Sequence, residues 1–219
     1  TLVDRIVTGF PKDKKELKEL YEEIGYEDKC IDTAEKFHLW VIEGDFEDKI
    51  QLKKAGHNII WTDDVTPYKK RKVRILNGGH TSMVLGARLY GLTTVEECLN
   101  DKYVSGFLNK CIFEEIIPTI GKNTDNEKFG EDVIERFSNP FIKHQLLDIA
   151  LNSVSKFKVR VLPTILEYNE KFGQYPEALT SSLSMLIAFY KGDEVRDDKW
   201  ISEFIKNSTI EEILNNYSE

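Results

Sequence analysis

Apolar residues recur along most of the chain every three or four positions, the spacing of helices that bury one face. In residues 12–24, Leu17, Leu20, Tyr21 and Ile24 keep this spacing and Gly25 follows as a stop. Two runs rich in aromatic and β-branched residues then break it, Phe37 to Ile42 and Asn58 to Thr62, and predict strands of a small hairpin or sheet fragment. A long helix is predicted from Thr66 to about Tyr90. Thr66 is its candidate N-cap, Pro67 takes the first helical position, where a missing N–H costs nothing, and Gly91 ends it. Further helices are predicted over residues 94–99, 104–117, 126–137, 140–150, 161–172, 176–190 and 198–206. The last, residues 208–217, has Ser208 as cap and Glu211 three residues on, a capping-box pattern. The polar stretch 121–127 reads as a loop, and no internal repeat interrupts the series. The pattern therefore predicts a mainly α, multi-helical fold, one domain over residues 1–219, with a minor β element near residues 37–62.

The helix from Pro67 to Ala87 carries most of the chemical information. At about 100° per residue, Lys72 and His80 fall roughly 80° apart and Asn77 about 60° beyond His80, so the three share one arc. Val73, Leu76, Met83, Val84 and Ala87 lie on that arc, while Ile75, Leu85 and Leu89 cover the other side. A helix apolar nearly all round is a buried one. Its polar side chains must be paired or functional, because an unsatisfied buried amide or ammonium costs several kcal/mol. Taken singly, Lys72 reads as a solvated lysine and His80 as a satisfied core histidine. Together, the spacing K-x4-N-x2-H suits oxidation of a secondary alcohol. A lysine desolvated in a cleft becomes a base near neutrality, and an amide with a neutral imidazole can hold the oxygen as charge develops. Gly78-Gly79, costly inside a helix, means that another backbone or a ligand comes close; tight helix packing is the simpler reading.

The basic run Lys69, Lys70, Arg71, Lys72 and Arg74 opposes the dipole at the start of this helix. Asp63 and Asp64 compensate in part, and a carboxylate substrate or a nucleotide phosphate is a candidate for the rest. A second set, Lys156, Lys158 and Arg160, alternates with Phe157 and Val159. It reads either as a half-exposed strand-like connection or as an anion site. His144 reads as structural or peripheral, and Cys111 as core.

Composition narrows the function classes. A net charge of −8 provides no field for nucleic acid or an anionic membrane. No apolar run reaches the roughly 18–20 residues that span a bilayer. Cys30, Cys98 and Cys111 are scattered and odd in number, which argues against a disulfide framework and for a reducing, cytoplasmic compartment. His38, His57, His80 and His144 are equally dispersed, so no protein metal site is expected. The opening Thr1-Leu2-Val3-Asp4-Arg5 lacks an initiator Met and a secretory leader, and reads as the middle of a longer protein.

The segment K-V-R-I-L-N-G-G-H, Lys72 to His80, resembles the signature helix of the long-chain mannitol dehydrogenase family of polyol dehydrogenases and hexuronate reductases. The opening T-L-V-D-R-I-V-T-G resembles the segment that follows the nucleotide-binding domain there. R-F-S-N-P-F-I-K-H-Q-L-L from Arg136 and S-K-F-K-V-R-V-L-P-T from Ser155 are also similar to family segments. V-D-R-I-V-T-G-F-P, D-T-A-E-K-F-H-L-W-V-I, D-D-V-T-P-Y-K-K-R-K and L-I-A-F-Y-K-G most resemble members acting on tagaturonate and altronate. The resemblance implies the C-terminal substrate domain of a two-domain, NAD-dependent dehydrogenase. It implies Lys72 as general acid/base, Asn77 and His80 polarising the reacting oxygen, Asp4 lining the substrate and cofactor cleft, and Lys156 near the substrate. The chain has no G-x-G-x-x-G, so NAD is expected to sit mainly on an N-terminal Rossmann domain of the same protein, absent from this chain. The expected partner is a small sugar acid, with neither nucleic acid nor membrane. Fructuronate reduction, a mannitol-type polyol dehydrogenase, and a non-catalytic helical interaction module are the alternative readings.

Overall fold

A computed structural model of the chain describes residues 1–11, 13–139 and 144–216. Lys12, the Pro140–Lys143 part of one predicted helix, and Tyr217 at the end of another lie outside the described residues. The chain divides into two compact units, Thr1–Lys69 and Lys70–Glu219, a division that the periodicity of the sequence does not announce.

The first unit is built on short strands. β1 (Leu2–Asp4) is followed by β2 (Val7–Gly9), the surface helix α1 (Lys14–Ile24), β3 (Thr33–Ala34), β4 (Leu39–Glu43), the single turn α2 (Glu47–Ile50) and β5 (Ile59–Thr62). Three strands form a sheet in the order β1-β4-β5, and β2 pairs with β3 in a separate ribbon. The two strands predicted from composition are neighbours, but they run parallel, with Trp40 opposite Ile59 and Glu43 opposite Thr62. They are therefore no hairpin: a parallel pair needs a crossover, and residues 44–58 with α2 supply it. Val41, Ile42 and Ile59 are buried in this sheet. Asp4 ends β1 and is buried. Three-residue strands such as β1 and β2 are too short to show alternation, so they escape sequence reading. Asp13 caps α1 by accepting from the amides of Lys15 and Glu16, and Gly25 closes it with φ +83°, a conformation glycine adopts without strain.

The second unit is helical. The stretch predicted as one helix is helical throughout, but in three pieces: α3 (Thr66–Arg71), a π-helix π1 (Lys72–Asn77) and α4 (Gly78–Tyr90). Thr66 already lies inside the helix, and its amide donates to Asp64 Oδ1 at 2.8 Å, so the cap lies before it. After α4 come α5 (Val95–Asn100), α6 (Lys102–Asn109), a second π segment π2 (Lys110–Ile116), α7 (Ile117–Ile120) and α8 (Thr124–Phe137). They are followed by α9 (Leu146–Ile149), α10 (Ser153–Arg160), α11 (Leu162–Phe172), α12 (Glu177–Tyr190), α13 (Lys199–Asn207) and α14 (Ile210–Asn215). The strand-like alternative for residues 156–160 is overturned: they are the last turns of α10, entered through Asn152 in the left-handed region. The final capping box is present one residue later than predicted, with Thr209 as cap and Glu212 returning the bond.

α4 is the axis of this unit. It packs against α12, α6, α9 and α10, and residues Gly78 to Leu85 are all buried. Leu89, placed by the wheel on the covered side, is exposed, since the last turn leaves the core. Gly86 admits Met185 of α12, whose sulfur would lie 2.3 Å from a Cβ there. Cys98 and Cys111 are buried among apolar neighbours, and burial pushes the Cys98 thiol up to about 12, which leaves it inert as a nucleophile.

One buried carboxylate holds two elements together. Glu115, on π2, accepts hydrogen bonds from the amides of Ala178 (2.7 Å) and Leu179 (2.8 Å) in the first turn of α12. Those amides have no intrahelical partners. Burial raises the Glu115 carboxyl above its usual range, against these bonds. Glu115→Ala should lower stability by roughly 1–3 kcal/mol, read as a drop in the urea midpoint, because it orphans buried donors. An unchanged midpoint would show that the bonds do not hold α12.

Candidate active site

Lys72, Asn77 and His80 lie on one unbroken helical stretch, and the π-helix decides their mutual placement. In π1 the backbone bonds run from i to i+5, so each turn holds more residues than an α turn. Lys72 and Asn77, five apart at its two ends, therefore come nearer to one face than 100° per residue allows. Asn77 and His80, three apart, follow at ordinary helical neighbour spacing. Segments of this kind recur at functional sites. Lys72 and Asn77 are half-buried, and Asn77 makes no side-chain capping bond to α4.

His80 is 5% exposed. Its ring stacks on Phe137 of α8 at 3.7 Å between centroids, and His144 meets it edge-on at 5.4 Å. Two backbone bonds bring His144 there, from the Val95 amide to its carbonyl (3.0 Å) and from the Leu146 amide to the Thr93 carbonyl (2.9 Å). The Nε2 of His80 is buried and has no hydrogen-bond partner among the described residues. Burial holds the imidazole well below its usual pKa, and the nearby His144, Arg160, Arg136 and Lys156 push it in the same direction. His80 is thus neutral, with one ring nitrogen left for something else.

The cations beside it come largely from α10. Lys156 and Arg160 are four apart on one face of that helix, with Phe157 turned into the core. The Lys156 ammonium donates to the Ile149 carbonyl at 2.7 Å, and burial, then Arg160, lowers its pKa. Arg160 points Nη1 at the buried Thr81 hydroxyl, 3.4 Å away. The end of α10 seats against the start of α4: a Cβ on Gly78 would lie 3.2 Å from the Arg160 carbonyl, and one on Gly79 would lie 3.3 Å from Leu108 and Ile112 methyls. The glycine pair thus serves close helix packing. It offers no cradle for a pyrophosphate.

The basic run of the long helix finds its anion within the protein. Arg74 donates to Thr164 Oγ1 (2.7 Å) and Glu167 (2.6 Å), and Lys70 lies 3.1 Å from the same carboxylate. Burial alone would raise Glu167, but Lys70 and Arg74 hold it below its usual range. Arg71 sits 5.5 Å above the Phe129 ring. Lys70 and Arg74 therefore need no substrate carboxylate, contrary to that sequence expectation. Asp4 belongs to the first unit. Among the described residues, no group of three or more His, Cys, Asp or Glu is placed to hold an ion. Sequence reasoning passes over Thr81, Arg136, His144 and Arg160 as neighbours of His80. Only the tandem of Arg136 and Phe137, and the four-residue spacing of Lys156 and Arg160, hint at them.

Residues 64–216 match the model of the mannitol dehydrogenase C-terminal domain. The chain is 48% identical over 196 residues to the altronate oxidoreductase of Yersinia enterocolitica, covering 88% of this chain and 40% of that protein. It is 47% identical over 214 residues to that of Escherichia coli O7:K1, covering 93% and 44%. Its fold is similar to Pseudomonas fluorescens mannitol 2-dehydrogenase in a ternary complex with NAD and D-mannitol, with TM-score 0.77 at 25% identity over 94% of this chain and 42% of that one. It is also similar to a substrate-free D-sorbitol dehydrogenase, with TM-score 0.74 at 29% identity over 90% and 40%. The chain spans about 40% of the length of the relatives it matches.

The neutral His80 has a consequence for stability. Its folded pKa lies below the ordinary 6.5, so the unfolded chain takes up a proton first as pH falls through that value. Stability should fall from pH 7 toward pH 5, with this group adding up to about 1.4 kcal/mol per pH unit. His80→Leu should flatten that slope in urea titrations. An equal slope in the variant would refute a neutral buried imidazole.

Proposed function

The chain belongs to the mannitol dehydrogenase C-terminal domain family, and on that premise we propose that it is the substrate-binding and catalytic part of an NAD-dependent oxidoreductase interconverting altronate and tagaturonate. The observation that carries this reading is the buried His80 Nε2, neutral and without a partner among the described residues, on the same helical stretch as Lys72 and Asn77. A buried polar nitrogen without a partner is costly, and a substrate oxygen would satisfy it. The altronate oxidoreductases it resembles suggest the substrate, and the cations around His80 suit an acid better than a neutral polyol.

In this reading Lys72, as free amine, takes the hydroxyl proton of altronate and returns it to the carbonyl oxygen in the reverse direction. Asn77 donates its amide and His80 its ring N–H to that oxygen as charge develops on it. Neutrality fits His80 for this, since the field around it resists a second proton. A nicotinamide dinucleotide, held by a part of the protein outside this chain, supplies the hydride chemistry. This chain has no glycine-rich strand-turn-helix for the pyrophosphate, and Gly78 and Gly79 are taken up by packing. Lys156 completes the proposed substrate-binding set of the helical unit by keeping a cation beside the imidazole. No helix among the described residues is long and apolar enough to cross a membrane.

Two measurements test this. In the full-length protein, Lys72→Ala should lower kcat with altronate and NAD by about two to four orders of magnitude, while circular dichroism and melting stay those of the parent. Retained turnover would remove Lys72 from the chemistry and favour an interaction module. The 219-residue chain alone should not oxidise NADH with tagaturonate. Turnover by it unaided would overturn the placement of the dinucleotide site.

A further inference from the structure

Several cations of the helical unit meet a carboxylate. Arg74 has Glu167, Arg88 has Glu194 through two bonds, and Lys110 has Glu177. Arg160 has no carboxylate beside it among the described residues. It is half-buried, burial is the only influence that shifts its pKa, and its side chain contacts the Thr81 hydroxyl rather than an acid. It also shares a helix face with Lys156, a like charge one turn away. A guanidinium taken out of water normally has an anion to meet. Here the fold sets it close enough to the buried His80 to act on its imidazole, whose Nε2 has no partner among the described residues.

The placement is built into the packing. The backbone at Gly78 lets the Arg160 carbonyl approach α4, and Thr81 lies three residues further along the same helix. The side chain therefore leaves α10 alongside the turn that carries His80. A sugar acid whose reacting oxygen meets His80 has its carboxylate a few carbons away, within reach of a side chain as long as arginine.

We propose that Arg160, steadied by Thr81, is the carboxylate subsite of this active site and selects sugar acids over neutral polyols. The proposal rests on the oxidoreductase reading above and deepens it by naming the residue that recognises the acid. A planar guanidinium accepts a carboxylate through two parallel bonds, which a neutral hydroxymethyl group cannot return.

The test uses the full-length protein, altronate, and the neutral carboxamide of altronate as its uncharged twin. Arg160→Met should raise KM for altronate about 10- to 100-fold, with a much smaller change in kcat, as expected for loss of a charge-assisted contact to the bound acid. The ratio of kcat/KM for altronate over the carboxamide should collapse by a similar factor. Arg160→Lys, which keeps the charge and loses the fork, should recover part of that ratio. A parent-like melting temperature shows that each variant is folded; if Arg160→Met fails to fold, the Arg160→Lys ratio alone decides. Equal losses on the acid and the carboxamide, or no change in KM, would overturn Arg160 as the subsite while leaving the oxidoreductase reading in place. If the parent protein oxidises only neutral polyols, that reading itself fails and the subsite falls with it.

Discussion

Residues Gly78 to Leu85 of α4 are enclosed by four other helices, and this enclosure is the constraint on which the helical unit is organised. A helix covered all round has no solvent to satisfy its polar side chains, so each must find a protein partner or a ligand. Thr81 is met by Arg160 and the glycines by neighbouring backbone and methyl groups. The Nε2 of His80 and the hydroxyl of Ser82 are left over. Ser82 is a small hydroxyl in an apolar surround. His80 is a titratable ring beside four groups that carry or can carry positive charge, and this is what turns a packing problem into a site.

The two π segments show how the same unit trades regularity for placement. π1 resets the phase of the long helix between Lys72 and Asn77, so side chains five apart approach one face. π2 performs a comparable adjustment around Glu115, which turns inward to hold the first amides of α12. In each case a less favourable backbone geometry is retained where a polar side chain must be aimed. The surrounding pairs, Lys70 and Arg74 with Glu167 and Arg88 with Glu194, hold the frame without drawing on the site. The half-buried Arg160 instead meets the Thr81 hydroxyl, with no carboxylate beside it among the described residues.

Helices and their glycine stops follow from local chemistry and are legible in the sequence, while both caps read from it, Thr66 and Ser208, are displaced in the structure. Asp13, Gly25, Thr94 and Gly91 act within a few residues of themselves, through bonds that the backbone makes with its own neighbours. The K-x4-N-x2-H helix and its family likeness were equally open to reading, because they depend on order along one element and not on what packs against it. The shift of the last cap from Ser208 to Thr209 shows the limit of this: both residues carry a hydroxyl, and which one caps is settled by the chain entering from α13.

What the sequence by itself determined is therefore the mainly helical class, the burial of the central helix and the residue types of the candidate site. What only the tertiary structure decided is the company those residues keep. The parallel pairing of β4 with β5, the π phase between Lys72 and Asn77, the capture of Lys70 and Arg74 by Glu167 and the approach of Arg160 to Thr81 are contacts over long separations or departures from helical regularity. Periodicity reports only which face of an element is apolar. The identity of the facing charge, and so whether an imidazole stays neutral, is fixed where distant segments meet in a medium that screens them poorly.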